Sequence, residues 1–137
     1  MTEHHAEVVL TVSFHDCDPM GVVWHGNYFR FFEVAREALL RSINYSYAEM
    51  AASGYVWPVV DTRVKYRQPL RCEETIRVSA RITEYENRLR IDYEVRNAAD
   101  LITTKAHTLQ VAVEKESQAL CFVSPDILLE RLGVKGC

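Results

Sequence analysis

The stretch His15–Tyr28, HDCDPMGVVWHGNY, decides how the rest of the chain is read. Two aspartates, a cysteine, a proline, two glycines and a histidine crowd into it. A run that alternates like a strand ends just before it, and a run with helical spacing begins just after it. A loop this rich in polar and turn-forming residues, held between two rigid elements, is a good place to hold chemistry.

Upstream, Ala6, Val8, Leu10, Val12 and Phe14 alternate with Glu7, Val9, Thr11, Ser13 and His15, which predicts a first strand. Downstream, Asn27 is placed to cap a helix. Tyr28, Phe31, Phe32, Ala35, Ala38, Leu39 and Ser42 recur at helical spacing and form a mostly apolar stripe. Arg30, Glu33, Arg36, Glu37 and Arg41 fall largely off it. A short helical turn is expected over Tyr47–Ala52, ending at Gly54.

From Val56 the period returns to two. Val60–Tyr66, Ile76–Ile82 and Leu89–Val95 each alternate, with turns at Glu86–Asn87 and Asn97–Asp100. Ile102–Val113 reads as one central strand, apolar in places on both faces. Ser124-Pro125-Asp126 reads as a cap followed by proline at the first helical position, in a helix that Gly133 closes. Short turns between successive strands imply an antiparallel sheet, and the one long amphipathic helix is its natural cover.

The 137 residues suit a single domain, 1–137, with a sizeable core. The formal net charge is -3, so composition offers nothing toward nucleic acid. No apolar run approaches the ~18 residues of a membrane span, and a cytoplasmic protein is expected. Cys17, Cys72, Cys121 and Cys137 form no CxxC pair and are read as free thiols.

The residues Asp16, Cys17, Asp18, Pro19, Gly21, Val22, Val23, Trp24, His25, Asn27 and Tyr28 carry a resemblance. Set between a strand and a helix, and followed by an antiparallel sheet, they resemble the hotdog-fold thioesterases. The resemblance is to the 4-hydroxybenzoyl-CoA thioesterase family and its YbgC-type members. It implies an α+β hotdog fold, with about five antiparallel strands wrapped around one long helix. It also implies a hydrolase of acyl-CoA or acyl-carrier-protein thioesters without metal or cofactor, working as a homodimer or a homotetramer made of two dimers. Asp18 is then the catalytic carboxylate, as general base or nucleophile. His25 supplies a backbone N–H to the substrate carbonyl, and its side chain is a second catalytic candidate. Gly26 and Tyr28 fall among the substrate-binding residues at the helix start. Trp57, Val59 and Val60 are candidates for the acyl pocket, and Arg88 for the phosphates of CoA.

The chemistry agrees with such a site. A thiol leaves readily, so one carboxylate and one set of preorganised donors suffice for hydrolysis. The N-terminus of the helix offers those donors. Asp16 is expected to hold the loop through backbone N–H groups, and Gly21 to supply a conformation that other residues resist.

Competing readings are a Cys17 nucleophile, a metal held by Asp16, Asp18 and His25, and a helix carboxylate at Glu33. The two neighbouring aspartates should raise the Cys17 thiol pKa, against the first. Arg30 and Arg36 stand at salt-bridging spacing from Glu33, which favours a solvated ion pair. A hotdog dehydratase, or a domain that only binds acyl thioesters, completes the alternatives. Loss of the Asp18 carboxylate would be the signature of the latter.

Overall fold

A computed structural model describes residues 4–134, so the expected free thiol at Cys137 lies outside the described residues. The elements follow the expected order. Strand β1 (His5–Thr11) leads through the motif loop to α1 (Tyr28–Ser42) and α2 (Tyr47–Ala52). After these come β2 (Tyr55–Val56), β3 (Val59–Tyr66), β4 (Thr75–Glu84), β5 (Leu89–Arg96), β6 (Ile102–Gln110), β7 (Val113–Glu114) and α3 (Asp126–Leu132).

Five strands form one antiparallel sheet in the order β1-β4-β5-β6-β3. Hairpins join β4 to β5 to β6, as their short turns require, and β1 and β3 are the two edges. Helix α1 packs across β1 and β4. Its buried residues are Tyr28, Phe31, Phe32, Ala35, Arg36, Leu39 and Leu40. Burying Phe31, Phe32, Leu39 and Leu40 contributes roughly 1.5–3 kcal/mol each. From the sheet they meet Ile76, Val78, Ile91, Tyr93 and Val95 in one core.

Four expectations need correction. The first strand stops at Thr11, and a 3-10 turn covers Phe14–Asp16, so Phe14 leaves the apolar face and is 85% exposed. Ile102–Val113 is not one strand: it breaks after Gln110, and Val113–Glu114 pairs with Tyr55–Val56 in a separate ribbon. Pro125 stands at the cap position of α3, with Asp126 first in the helix, because its ψ of 150° is extended. Arg36 is buried, where helical spacing put it off the stripe. Its Nε donates to the Tyr47 hydroxyl at 2.7 Å and its Nη1 to the Tyr93 hydroxyl at 3.5 Å, so these partners satisfy the guanidinium inside the fold.

Candidate active site

The motif loop is held from within. The buried Asp16 side chain accepts the Arg30 Nε at Oδ1, 3.1 Å away, and its Oδ2 accepts the Ser13 N–H at 2.9 Å and meets the other arm of that guanidinium. Burial pushes its carboxyl up, but the Arg30 and Ser13 donors outweigh it and hold the pKa below the ordinary 3.8. The Asp16 carbonyl accepts the Trp24 N–H at 3.0 Å and the Asn27 side-chain amide at 2.9 Å. Asp16 therefore ties both ends of the loop to α1. Asn27 stands at the cap position with helical φ and ψ, and its side chain serves the loop instead of the helix.

Asp18 sits at the loop's tight turn. Its Oδ1 accepts the Met20 N–H at 2.9 Å, its N–H donates to the Val22 carbonyl at 2.9 Å, and its carbonyl accepts the Gly21 N–H at 2.9 Å. Gly21 has φ 79°, the left-handed conformation expected of it. One carboxylate oxygen is thus anchored by the turn, and Asp18 lines a cavity of about 360 Å³. His25, Tyr28, Val22, Val23, Tyr66 and Pro69 line the same cavity.

The donors beside that cavity come from a 3-10 turn, His25–Asn27, that runs into α1. Its first bond is Asn27 N–H to the Trp24 carbonyl, at 2.9 Å. Among the described residues the N–H groups of His25 and Gly26 have no acceptor, as the opening of a helix leaves them. The His25 carbonyl accepts the Tyr66 hydroxyl at 2.8 Å, which pins this turn to β3. The Trp24 ring lies so close to Gly26 that an added Cβ would stand 2.1 Å from it. Any larger residue would have to displace this half-exposed ring or shift the turn. Tyr28 is buried, edge-on to Tyr66 with ring centres 5.0 Å apart, and forms a wall of the cavity.

The other predicted residues lie elsewhere in the same chain. Trp57 and Val59 line a second cavity, of about 410 Å³, with Arg30, Glu33, Arg36, Tyr47 and Gln110. Trp57 is buried, and its ring N–H donates to the Tyr45 hydroxyl at 3.3 Å. Val60 is 58% exposed on β3 and lines neither cavity. Arg88, exposed beyond the β4–β5 turn, donates to Glu84 at 2.9 Å and lines neither. Glu33 is exposed, with Arg36 at 3.9 Å, while Arg30 turns to Asp16 instead. Sequence reasoning passed over Tyr66, and it also passed over Gln110 and the burial of Arg36. Tyr66 carried no signal beyond its place in a strand.

The rival chemistries fare differently. Burial comes first, then Cys72 beside it, then the two aspartates, in pushing the Cys17 thiol up to about 11. The direction is the expected one, though the aspartates are the lesser cause. A thiol so protonated is a poor nucleophile. Among the described residues there is no cluster of three or more His, Cys, Asp or Glu that could hold a metal ion. No helix among them is long and apolar enough to cross a membrane.

The sequence profile described as the thioesterase-like superfamily matches residues 12–130. The chain belongs to that superfamily, in its hotdog-fold, 4-hydroxybenzoyl-CoA thioesterase and YbgC-like branch. The superfamily match spans the motif loop, α1 and every strand of the sheet except β1. The chain is 33% identical over 115 residues to the putative acyl-CoA thioesterase YneP of Bacillus subtilis, covering 83% of each. It is 29% identical over 104 residues to the acyl-CoA thioester hydrolase YbgC of Escherichia coli O157:H7, covering 75% of this chain and 78% of that one. Among solved structures, the DHNA-CoA thioesterase of Staphylococcus aureus superposes with a TM-score of 0.80 at 27% identity, over 86% of this chain and 80% of that one.

Proposed function

We propose that this protein hydrolyses acyl-CoA thioesters, with Asp18 as the reacting carboxylate and the His25–Gly26 backbone as the oxyanion site. The observation that carries the reading is a shared cavity. Asp18 and His25 line it together, and the unfilled N–H groups of His25 and Gly26 belong to the same turn. Such donors at a helix start stabilise the charge that develops on a thioester carbonyl oxygen. Asp18 takes a proton from water as the water oxygen attacks the carbonyl carbon. The C–S bond then breaks and the thiolate leaves, to be protonated by the acid so formed. Alternatively the carboxylate itself attacks and expels the thiolate as the C–S bond breaks, and water then cleaves the resulting anhydride to return the carboxylate and release the acid. The His25 side chain is exposed and lies tilted against the Trp24 ring, with centroids 4.7 Å apart, where it is available to the incoming substrate.

The working unit in this reading is at least a dimer, formed through β3. That strand is a sheet edge, exposed along nearly all its length, and it presents unpaired backbone groups. Its Tyr66 end borders the Asp18 cavity, and its Val59 end borders the Trp57 cavity. Antiparallel pairing of two β3 strands about a twofold axis brings the Tyr66 end of one copy beside the Val59 end of the other. The acyl group of a thioester held at Asp18 then reaches Trp57 and Val59 of the partner subunit. The family likeness and the names of the relatives favour CoA as the handle.

Thiol release from a panel of aryl-, medium- and long-chain acyl-CoAs, followed with a thiol dye, tests the activity. Turnover of at least one substrate is expected, and no release from any would remove the reading. Light scattering should give a dimer or larger species at micromolar concentration.

A further inference from the structure

The outer face of the sheet, away from α1, carries a basic groove that is separate from the acyl pocket and shares only Arg67 with the catalytic cavity. It is a cavity of about 340 Å³ lined by Arg63, Lys65 and Arg67 of β3 and its end, Lys105 and His107 of β6, and Arg81, Arg90, Asp92 and Glu94 further in. Strand register aligns these residues in rows. One row runs Arg63, His107, Asp92, Arg81, and the next Lys65, Lys105, Glu94, Ser79. Asp92 is occupied by Arg90 at 2.9 Å. Six lysines and arginines thus face two carboxylates, in a chain whose formal net charge is -3. A local positive field of that kind in an acidic protein is a receptor for anions.

The groove is not isolated from the chemistry. Arg67 lines both it and the cavity that holds Asp18. From Arg67 back to Arg63, β3 spans about 13 Å, at roughly 3.3 Å per residue. We infer that this groove holds the 3′-phospho-ADP end of CoA, so that the thioester's pantetheine arm passes Arg67 into the Asp18 cavity. The inference rests on the acyl-CoA reading above and gives the handle its place. A diphosphate and a ribose phosphate together carry roughly four negative charges, which the β3 cations and Lys105 can meet. The groove also contains Glu94, which can accept from an adenine amine. An acidic helix of a carrier protein has no such donor, and Asp92 and Glu94 would repel it. Arg88, the residue expected to serve this role, is neutralised by Glu84 on its own hairpin and lines neither the groove nor the catalytic cavity.

The test uses the charge-reversed double variant Lys65→Glu/Lys105→Glu. Both side chains are exposed, so the fold should survive, and a thermal melt checks it. Lys115→Glu, outside the groove, controls for net charge alone. Calorimetric titration with adenosine 3′,5′-bisphosphate should show binding to the wild type and to Lys115→Glu, and a loss of about 10-fold or more in the double variant. The ratio of kcat/KM for an acyl-CoA over the matching acyl-pantetheine should fall by a similar factor of about 10. Unchanged titration and an unchanged ratio would overturn the inference. So would a ratio that holds while hydrolysis of an acyl-carrier-protein collapses, since that assigns the groove to a protein handle. A wild type that binds the bisphosphate but releases no thiol would sink the thioesterase reading while leaving the nucleotide site standing.

Discussion

Of the two cavities beside α1, one holds the carboxylate of Asp18 and the other those of Glu33 and Glu37, and their surroundings differ in kind. Asp18 stands half-buried on a loop that Asp16 and Gly21 hold in place, next to backbone donors that lack an acceptor. Glu33 stands 69% exposed in its side chain, across from the guanidinium of Arg36. A fixed carboxylate beside empty donors is arranged for chemistry on a carbonyl. A solvated one near a cation serves as a surface charge. The Trp57 cavity makes up for this with a broad aromatic wall and a buried polar floor, which suits recognition. In the function proposed above, one region reacts, the other selects, and a second copy brings the two together.

Breaking the donor side should cost most. In Gly26→Ala the new Cβ would stand 2.1 Å from the Trp24 ring, so that the ring or the donor turn must move. Losing one oxyanion donor in this way should lower kcat by about 100-fold or more with little change in stability, as steady-state kinetics and a melt would show. Weakening the selecting side should cost less. Trp57→Ala should lower kcat/KM by ~10-fold for a large acyl group and by little for acetyl-CoA, a discrimination of the size expected for apolar pocket contacts. A uniform loss across acyl sizes would deny that cavity its selecting role.

The loop support comes next. Asp16→Asn removes the charge from its bonds to Arg30 and Ser13 and should destabilise the fold by about 1–2 kcal/mol, since the half-exposed Arg30 limits the effect. Because the folded Asp16 pKa lies below its ordinary 3.8, its contribution is fully present above that value. It should be lost as pH falls through the depressed folded value, so wild type and Asp16→Asn should converge in stability in strong acid. The smallest effect belongs to Arg88→Ala. Its bond to Glu84 is exposed, and KM for acyl-CoA should stay within about twofold of wild type.

Much of this was legible in the sequence, and the failures have physical causes. Alternation found β3, β4 and β5, and helical spacing found α1 and α2, because each buries one face. Alternation does not say which strand is an edge. β3 reads like β5 in sequence, yet β5 buries every second residue and β3 almost none. Nor does alternation say that Val59, an acyl-pocket candidate, and Tyr66, which borders the Asp18 cavity, stand at opposite ends of that edge. Phe14 was counted as core because nothing local marks where a strand yields to a 3-10 turn. Arg36 was counted as surface because its partners, Tyr47 and Tyr93, come from α2 and β5. In the motif loop Gly21 and the helix start were read well, since they act through local backbone bonds that sequence spacing encodes, whereas the Arg30 partner of Asp16 was missed because it stands 14 residues on.

The central claim is that Asp18, and not Glu33, is the carboxylate that reacts. Asp18→Asn and Glu33→Gln keep the shape of each side chain and remove its charge, so their kcat values on one good acyl-CoA, measured side by side, test it most directly. Asp18→Asn should lose at least ~100-fold in kcat with KM nearly unchanged, while Glu33→Gln retains most of the wild-type rate. A near-normal Asp18→Asn beside an inactive Glu33→Gln would contradict the account and move the chemistry to the helix.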